Sequence, residues 1–309
     1  MKTDGGYDAE SFKAKYEAMD KNRDGKISKA ELVEAVVKVG RERNLFGGIA
    51  QKQHENIGGR AVVKFAILDD PKEEPVDVAI FREGLSCLGK TFNNARHAYL
   101  KLNICDKALT TMKGIGRYRY LQYIDVSNNS LTTLTHLTDI KHLIKLNASN
   151  NRIKKMLDFA PPANLEVVDY SRNEIEEIEN VMFNPYMKHL CLDDNKISKI
   201  QGLSSNKGLA SLSLKQNSIT KIENLDGLNL EELNLANNQI GKITGLSNLP
   251  RLKELDLSKN HIRFLAGLHS IDSLRFLNLS LNNIVKVIQL QYIERLNLLT
   301  ELDFSFNPV

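Results

Sequence analysis

The chain contains no tryptophan, few cysteines and no long apolar run. The scarcity of cysteine and the lack of an apolar run limit the classes of protein to which the chain can belong. Its 309 residues include only three cysteines, Cys87, Cys105 and Cys191, and none has Cys-x-x-Cys spacing. An odd number of scattered thiols predicts a reducing compartment without a disulfide framework. No stretch of about 18 apolar residues occurs, and the first residues contain no apolar core. We therefore expect neither a membrane span nor a signal peptide.

Signatures of nucleic-acid binding and of hydrolytic or zinc-dependent catalysis are also missing. With 42 Lys and Arg against 38 Asp and Glu, the net charge is a modest +4, and no basic run is interleaved with aromatic residues. This charge pattern does not favour a nucleic-acid partner. The His-Glu-x-x-His zinc motif and the Gly-x-Ser-x-Gly elbow are both absent. The letters of a phosphate loop, Gly-x-x-x-x-Gly-Lys-Thr, occur at residues 84–91. We predict a protein that is not an enzyme.

A periodic asparagine is the strongest positive feature of the sequence. Six of the seven steps between successive members are 22 residues long, and one is 21. Apolar residues recur eight, five and three positions before each asparagine, and two, five and eight positions after it. This is the leucine-rich repeat pattern Leu-x-x-Leu-x-Leu-x-x-Asn-x-Leu. The series consists of Asn129, Asn151, Asn173, Asn195, Asn217, Asn238, Asn260 and Asn282.

The pattern predicts an α/β fold, a leucine-rich repeat solenoid of about ten units. The Leu-x-Leu pair has strand periodicity, which predicts short parallel strands on a concave face. Apolar residues at every third position predict a 3₁₀ or irregular outer arc. The asparagine amide can both donate hydrogen bonds to and accept them from the backbone of the turn.

Both ends of the repeat array are irregular. Lys107 occupies the asparagine column of the first unit, and a lysine is not expected to enter a buried ladder, so we predict a cap there. The last unit begins at Leu299 and reaches Asn307, 25 residues after Asn282. Because it stops two residues later, we expect either that the natural chain continues or that a partner covers this end.

The predicted concave face is the candidate surface for protein partners. Residues six, four and two positions before each asparagine alternate out of the strands and are mostly small, polar or acidic. Alternatively, some of the Asp and Asn residues only stabilise the neighbouring turn. The candidate partner-binding residues are Tyr123, Asp125, Asp169, His189, Asp193, Glu232, Glu254, Asp256, Phe276 and Asp303.

Residues 20–31, DKNRDGKISKAE, match the calcium loop of an EF-hand. The loop supplies carboxylate, amide and hydroxyl oxygens at the ligand positions, a glycine at the sharp turn and a glutamate at the twelfth position. The predicted calcium ligands are Asp20, Asn22, Asp24, Lys26 (through its backbone carbonyl), Ser28 and Glu31. Alternatively, the EF-hand is structural, and is empty or holds magnesium.

The sequence therefore divides into four predicted parts. Residues 1–43 form the EF-hand, and the glycine-rich stretch 44–60 is a linker. Residues 61–95 form a helical lead-in that caps the solenoid, or a decayed second EF-hand without metal. Residues 96–309 form the solenoid.

The 22-residue unit resembles the short intracellular repeats of the leucine-rich regulatory subunit of protein phosphatase 1. The lead-in at 82–91 (REGLSCLGKT), followed by 97–102 (HAYLKL), is similar to the start of the leucine-rich radial-spoke proteins of motile cilia. This region, with 146–151 (LNASNN) and 159–165 (FAPPANL), also resembles the leucine-rich part of the leucine-rich repeat/guanylate kinase proteins of sperm flagella. The EF-hand is not part of either ciliary pattern.

The ciliary resemblance implies a structural subunit of the axoneme, located in the cytoplasm and cytoskeleton and without a membrane anchor. Its partners would be axonemal proteins of a radial spoke or a microtubule doublet, within a large hetero-complex. Two alternatives stay open, a phosphatase regulatory subunit and the N-terminal part of a larger protein that contains a guanylate kinase. No nucleotide activity is carried over.

Overall fold

The computed structural model describes residues 77–90 and 97–308. These residues fall within one compact unit, residues 71–309. The predicted EF-hand, the linker and residues 61–76 and 91–95 of the lead-in lie outside the described residues.

The described chain forms one helix followed by a sheet whose strands are ordered as they occur in the sequence. Helix α1 is Asp77–Gly84, and the longer strands are β1 (Leu85–Lys90) and β2 (His97–Asn103). β1 pairs antiparallel with β2, and every later pairing is parallel. The remaining strands are β3 (Tyr123–Asp125), β4 (Lys145–Asn147), β5 (Val167–Asp169), β6 (His189–Cys191), β7 (Ser211–Ser213), β8 (Glu232–Asn234), β9 (Glu254–Asp256), β10 (Phe276–Asn278) and β11 (Glu301–Asp303).

The outer arc consists of short 3₁₀ turns and irregular segments, which confirms the prediction from three-residue spacing. Between the strands, the described residues contain no α-helix, because apolar residues at every third position match the 3₁₀ period better than the α-helical one. The 3₁₀ segments are Ile115–Arg117, Thr135–Asp139, Val181–Phe183, Ala266–Leu268 and Val287–Tyr292.

Each three-residue strand from β3 to β10 buries its middle side chain and directs the outer two away from the core, whereas the middle residue of β11, Leu302, is 43% exposed. In β6, for example, Leu190 is buried while His189 is exposed and Cys191 half-buried. Neighbouring strands pair equivalent positions, so that Leu277 lies opposite Leu255 on one side and Leu302 on the other. The repeat thus stacks identical side chains in columns, and one continuous leucine and isoleucine core fills the interior.

The periodic asparagines form a hydrogen-bonded ladder that joins each coil to the preceding one. Asn173 is buried; its Nδ2 donates to the carbonyl of Tyr170 in its own coil (2.9 Å) and to that of Ala148 in the preceding coil (3.0 Å). Its Oδ1 accepts the N–H of Ile153 at 2.9 Å. The equivalent three contacts recur at every ladder position from Asn129 to Asn307.

The longer last step does not break the ladder. Asn307 follows Asn282 by 25 residues, yet its Nδ2 still donates to the carbonyl of Leu279 (2.9 Å) and its Oδ1 accepts the N–H of Ile284 (3.2 Å). The additional residues are accommodated in the outer arc, where the six-residue 3₁₀ segment Val287–Tyr292 lies. Variation in repeat length is therefore confined to the outer arc.

The residue before each ladder asparagine has a left-handed backbone. From Asn128 to Phe306, φ at this position lies between 52 and 58°. Asparagine tolerates this conformation, but Leu281 and Phe306 do not favour it. The hydrogen bonds of the ladder asparagine and of the paired strand fix the chain on both sides of this residue. They therefore impose the left-handed turn even where the side chain does not favour it.

The described part of the lead-in, residues 77–90, is not helical throughout, because the helix ends at Gly84 and Leu85–Lys90 is a strand. Residues 85–90 therefore do not form a phosphate loop, which would follow a strand and open a helix. A Cβ at Gly84 would lie 2.2 Å from the carbonyl oxygen of Asn103, so a glycine is needed where the helix turns into the strand. Phe81 of α1 is fully buried in the core. The lead-in therefore caps the first edge of the parallel sheet with a helix and an antiparallel strand.

Lys107 behaves as the sequence predicts for a cap. Its side chain stays out of the ladder and forms an ion pair with Glu83 of α1 at 3.6 Å. Its backbone N–H still donates to Asn129 Oδ1 at 3.1 Å, so the second coil keeps its bond to the first.

A second column of buried asparagines, with only two members, was not predicted from the sequence. Asn184 and Asn206 are fully buried at an outer-arc position where other coils carry apolar residues. Asn206 Nδ2 donates to the carbonyls of Asn184 (2.9 Å) and Val181 (3.0 Å), and Asn184 Nδ2 donates to that of Pro162 (2.7 Å). Their spacing of 22 residues was visible in the sequence, but two members are too few to stand out as a column.

Removal of one ladder amide should destabilise the solenoid measurably. Asn173→Ala leaves the Ile153 N–H and the Ala148 and Tyr170 carbonyls without their partner, so we expect a loss of at least about 2 kcal/mol in the free energy of unfolding. Urea denaturation followed by circular dichroism measures this loss. The control is Asn164→Ala, since Asn164 is exposed and outside the ladder; a change there of more than about 0.5 kcal/mol, or none at Asn173, would contradict the ladder's role.

Candidate protein-interaction surface

The strands position the predicted partner-binding residues in two rows on the concave face. Residues six positions before each ladder asparagine form the outer row, and those four positions before it form the inner row. The outer row is exposed at Tyr123, His189, Glu232 and Glu254 and half-buried at Phe276. The inner row is half-buried at Asp125, Asp169, Asp256 and Asp303.

The inner-row aspartates brace the ends of their own strands. Oδ1 of Asp169 accepts the N–H of Ser171 at 2.8 Å, and Oδ1 of Asp256 accepts that of Ser258 at 2.9 Å. Asp303 makes the same contact with Ser305 at 3.0 Å, and this bond lowers the pKa of its carboxyl. Asp125 repeats the pattern. These contacts are the turn-stabilising alternative that the sequence left open, and they fix one oxygen of each carboxylate.

The outer row changes in charge along the solenoid. Its first half includes Lys101, Lys145 and His189, whereas its second half includes Glu232, Glu254 and Glu301. Glu232 lies directly opposite Glu254 in the parallel pairing, an arrangement that is unfavourable for like charges. Ser211 Oγ donates to Glu232 at 2.8 Å, but no ion pair neutralises Glu254 or Glu301 in the described ranges. The acidic half is thus available to a cationic partner.

Asp193 lies at the side of these rows, in a shallow polar groove at the carboxyl ends of the strands. One carboxylate oxygen accepts the Lys215 N–H at 2.8 Å and the Ser213 hydroxyl at 2.5 Å, so Asp193 ties its coil to the next one. The groove has a volume of about 280 Å³ and is lined entirely by polar residues, including Arg172, Asp194 and Lys215. Its mixed charges suit hydrogen bonding to a polypeptide.

Nothing in this surface has the geometry of a metal centre or a reactive thiol. The described residues contain no group of three or more His, Cys, Asp or Glu side chains that could hold a metal ion. Burial raises the pKa of Cys191 to about 12, with a smaller contribution from the nearby carboxylates of Asp193 and Asp169. Within the same ranges, no helix has the length and hydropathy that a membrane crossing requires.

Selective alkylation tests the state of the concave cysteine. Because its raised pKa keeps Cys191 protonated from pH 6 to 9, iodoacetamide should modify the exposed Cys87 at least about tenfold faster than Cys191 at pH 8. Mass spectrometry of quenched samples gives both rates. Denaturation in urea serves as the control, since it should remove most of the difference; equal rates in the folded protein would contradict the burial of this thiol.

Comparison with known proteins agrees with the repeat architecture. Residues 228–268 match the family model described as Leucine Rich repeats (2 copies). Leucine-rich repeat-containing protein 23 of Bos taurus is 46% identical over 55 residues, which are 18% of this chain and 16% of that protein. The human protein of the same name is 40% identical over the same length, again 18% of this chain and 16% of its own. The aligned segment thus spans about a sixth of these relatives.

Solved structures share the solenoid. The leucine-rich repeat domain of APL1 superposes with a TM-score of 0.59 at 27% identity, covering 67% of this chain and 55% of that one. An internalin of Listeria monocytogenes superposes with a TM-score of 0.53 at 24% identity, covering 66% of this chain and 80% of that one, which shows the fold alone. Together with the asparagine ladder and the parallel three-residue strands, these matches identify the described part of the chain as a leucine-rich repeat solenoid, a fold typical of protein-interaction domains.

Proposed function

We propose that this protein is a calcium-binding scaffold of the ciliary or flagellar axoneme, in or near a radial spoke, and that it binds protein partners through its concave face. The observation that supports this proposal is the largely exposed outer row of that face, in which Glu254 and Glu301 have no ion-pair partner among the described residues. A long array of short strands offers a continuous surface on which a helix or a basic segment can lie.

The ciliary part of the proposal rests on the lead-in. Residues 82–91 resemble the start of the radial-spoke leucine-rich proteins, and the described part of this segment, residues 82–90, forms the end of α1 and strand β1, outside the repeats. Gly84 and Gly89 each lie against another chain segment, where a Cβ would meet Asn103 O at 2.2 Å and Leu100 Cδ1 at 2.3 Å respectively. The resemblance therefore extends beyond the repeat consensus to a specific cap. The local likeness to leucine-rich repeat-containing protein 23 supports the repeat class.

The calcium part rests on the sequence of residues 20–31, which lie outside the described residues. Asp20, Asp24 and Glu31 supply three carboxylates, while Asn22, Ser28 and the carbonyl of Lys26 supply neutral oxygens. This set of hard oxygen donors matches the preference of Ca²⁺ for six to eight oxygens. The bound ion would hold the loop in one conformation and orient its two flanking segments.

Cell fractionation tests the location and the surface together. We expect the tagged chain to remain with demembranated axonemes after a salt wash, and Glu232→Lys with Glu254→Lys to move it to the soluble fraction, because the acidic half is reversed. Glu176→Lys with Glu177→Lys is the matched control, since it applies the same charge change to exposed outer-arc positions. A soluble wild-type pool would refute the location; retention of the Glu232 and Glu254 variant would refute the surface.

Calorimetry tests the calcium loop. Glu31→Gln removes one charge and the bidentate ligand, so we expect calcium binding to weaken at least about tenfold. Glu34→Gln, three residues beyond the loop, makes the same chemical change outside the ligand set and should leave the affinity unchanged. Equal affinities for wild type and Glu31→Gln would contradict the assignment.

A further inference from the structure

A cleft on the flank of the last coils lies beside the concave rows and plays no part in the function proposed above. It is formed by side chains nine and seven positions before the ladder asparagines, together with Pro250, and its volume is about 330 Å³. We call it the flank cleft. Its lining residues are Glu231, Pro250, Arg251, Lys253, Ser273, Arg275 and Leu298.

Backbone pairing fixes the positions of the charged residues in the flank cleft. The N–H of Lys253 donates to the carbonyl of Glu231 at 2.8 Å, and the N–H of Arg275 donates to that of Lys253 at 2.8 Å. Glu231, Lys253 and Arg275 therefore stand in one column on three successive coils, about 4.8 Å apart. Arg251 stands beside this column, two residues before Lys253 in the same coil.

The flank cleft carries excess positive charge. Lys253 Nζ is 2.6 Å from Glu231 Oε2, which pairs one cation with the single carboxylate of the lining. The pKa of Glu231 is lowered, first by Lys253 and to a smaller extent by Arg251, which places Arg251 in the same electrostatic field. Neither Arg251 nor Arg275 has an ion-pair partner within the part of the chain that the structure describes. The lining therefore holds three cations and one carboxylate.

The flank cleft also has an apolar wall. Leu298 is 53% exposed, and Pro250 lies at the edge of the same opening. No aromatic side chain is among the lining residues, so no platform for stacking a nucleic-acid base is present there. A small inorganic anion would use the arginines but not Leu298, whereas a peptide could use both.

We infer that the flank cleft binds an acidic segment of a partner protein. The planar guanidinium groups of Arg251 and Arg275 each suit a carboxylate, to which they can donate two parallel N–H bonds. An apolar side chain of the same segment packs against Leu298. The partner's sequence should accordingly combine two acidic residues with a neighbouring aliphatic residue. This inference does not depend on the ciliary location.

Fluorescence anisotropy with the purified full chain tests the flank cleft. The probe is a short labelled peptide with glutamates on either side of a leucine, and a peptide with glutamines in their place is the probe control. We expect Arg251→Glu with Arg275→Glu to weaken binding of the glutamate peptide at least about a hundredfold, roughly tenfold for each lost charged contact. Lys242→Glu with Arg263→Glu applies the same charge change to exposed outer-arc positions and should alter binding less than about twofold.

A second variant separates a peptide site from a general anion site. Leu298→Ser keeps all the charges and should weaken the glutamate peptide about threefold or more, because it removes the apolar contact. Equal binding of the glutamine peptide, or no loss in the double arginine variant, would overturn the inference. Competition by inorganic phosphate or by a single-stranded oligonucleotide would also overturn the inference if either displaced the labelled peptide as effectively as the unlabelled peptide does. Either result would identify a different class of ligand for the flank cleft.

Discussion

The side-chain amide of the ladder asparagine is the contact on which this architecture depends. A three-residue strand offers too few backbone bonds to hold the chain where it turns from the sheet into the outer arc. The buried amide supplies the missing partners, because it donates to a carbonyl in its own coil and to one in the preceding coil while accepting an N–H. Among the short polar side chains, only asparagine offers two N–H donors together with a carbonyl acceptor. The left-handed turn before each asparagine follows from it, even where leucine or phenylalanine occupies that position.

The periodic part of the fold could be predicted from the sequence, because one physical requirement is repeated in every coil. The asparagine column, the buried leucines and the outer arc were predicted on that basis and are confirmed. Strand β1 was missed because it occurs once, and its helix-to-strand change depends on the close approach of Gly84 to Asn103. The burial of Asn184 and Asn206 could not be deduced from so short a series. Residues 20–31 stay a prediction.

The positions of the concave-face residues could be predicted from the sequence, whereas partner binding by them stays a prediction. Alternation in the strands placed Tyr123, His189 and Glu254 outward correctly. The same alternation could not separate carboxylates that brace a turn, such as Asp169, from those that remain free. The flank cleft escaped the sequence analysis for a related reason. Its arginines lie outside the strand motif, and only the stacking of three coils brings Arg251, Arg275 and Leu298 to one opening.

The way in which the last step of 25 residues is accommodated has an evolutionary consequence. The extra residues enlarge only the arc around Val287–Tyr292, and the hydrogen bonds of Asn307 are kept. The outer arc can therefore gain or lose a turn without moving the concave face. Insertions in the outer arc thus have little effect on the concave face. Insertion or deletion of one residue between a strand and its asparagine would instead displace the ladder. A repeat protein of this kind can acquire new contacts on its back and flanks while an established partner remains bound in front.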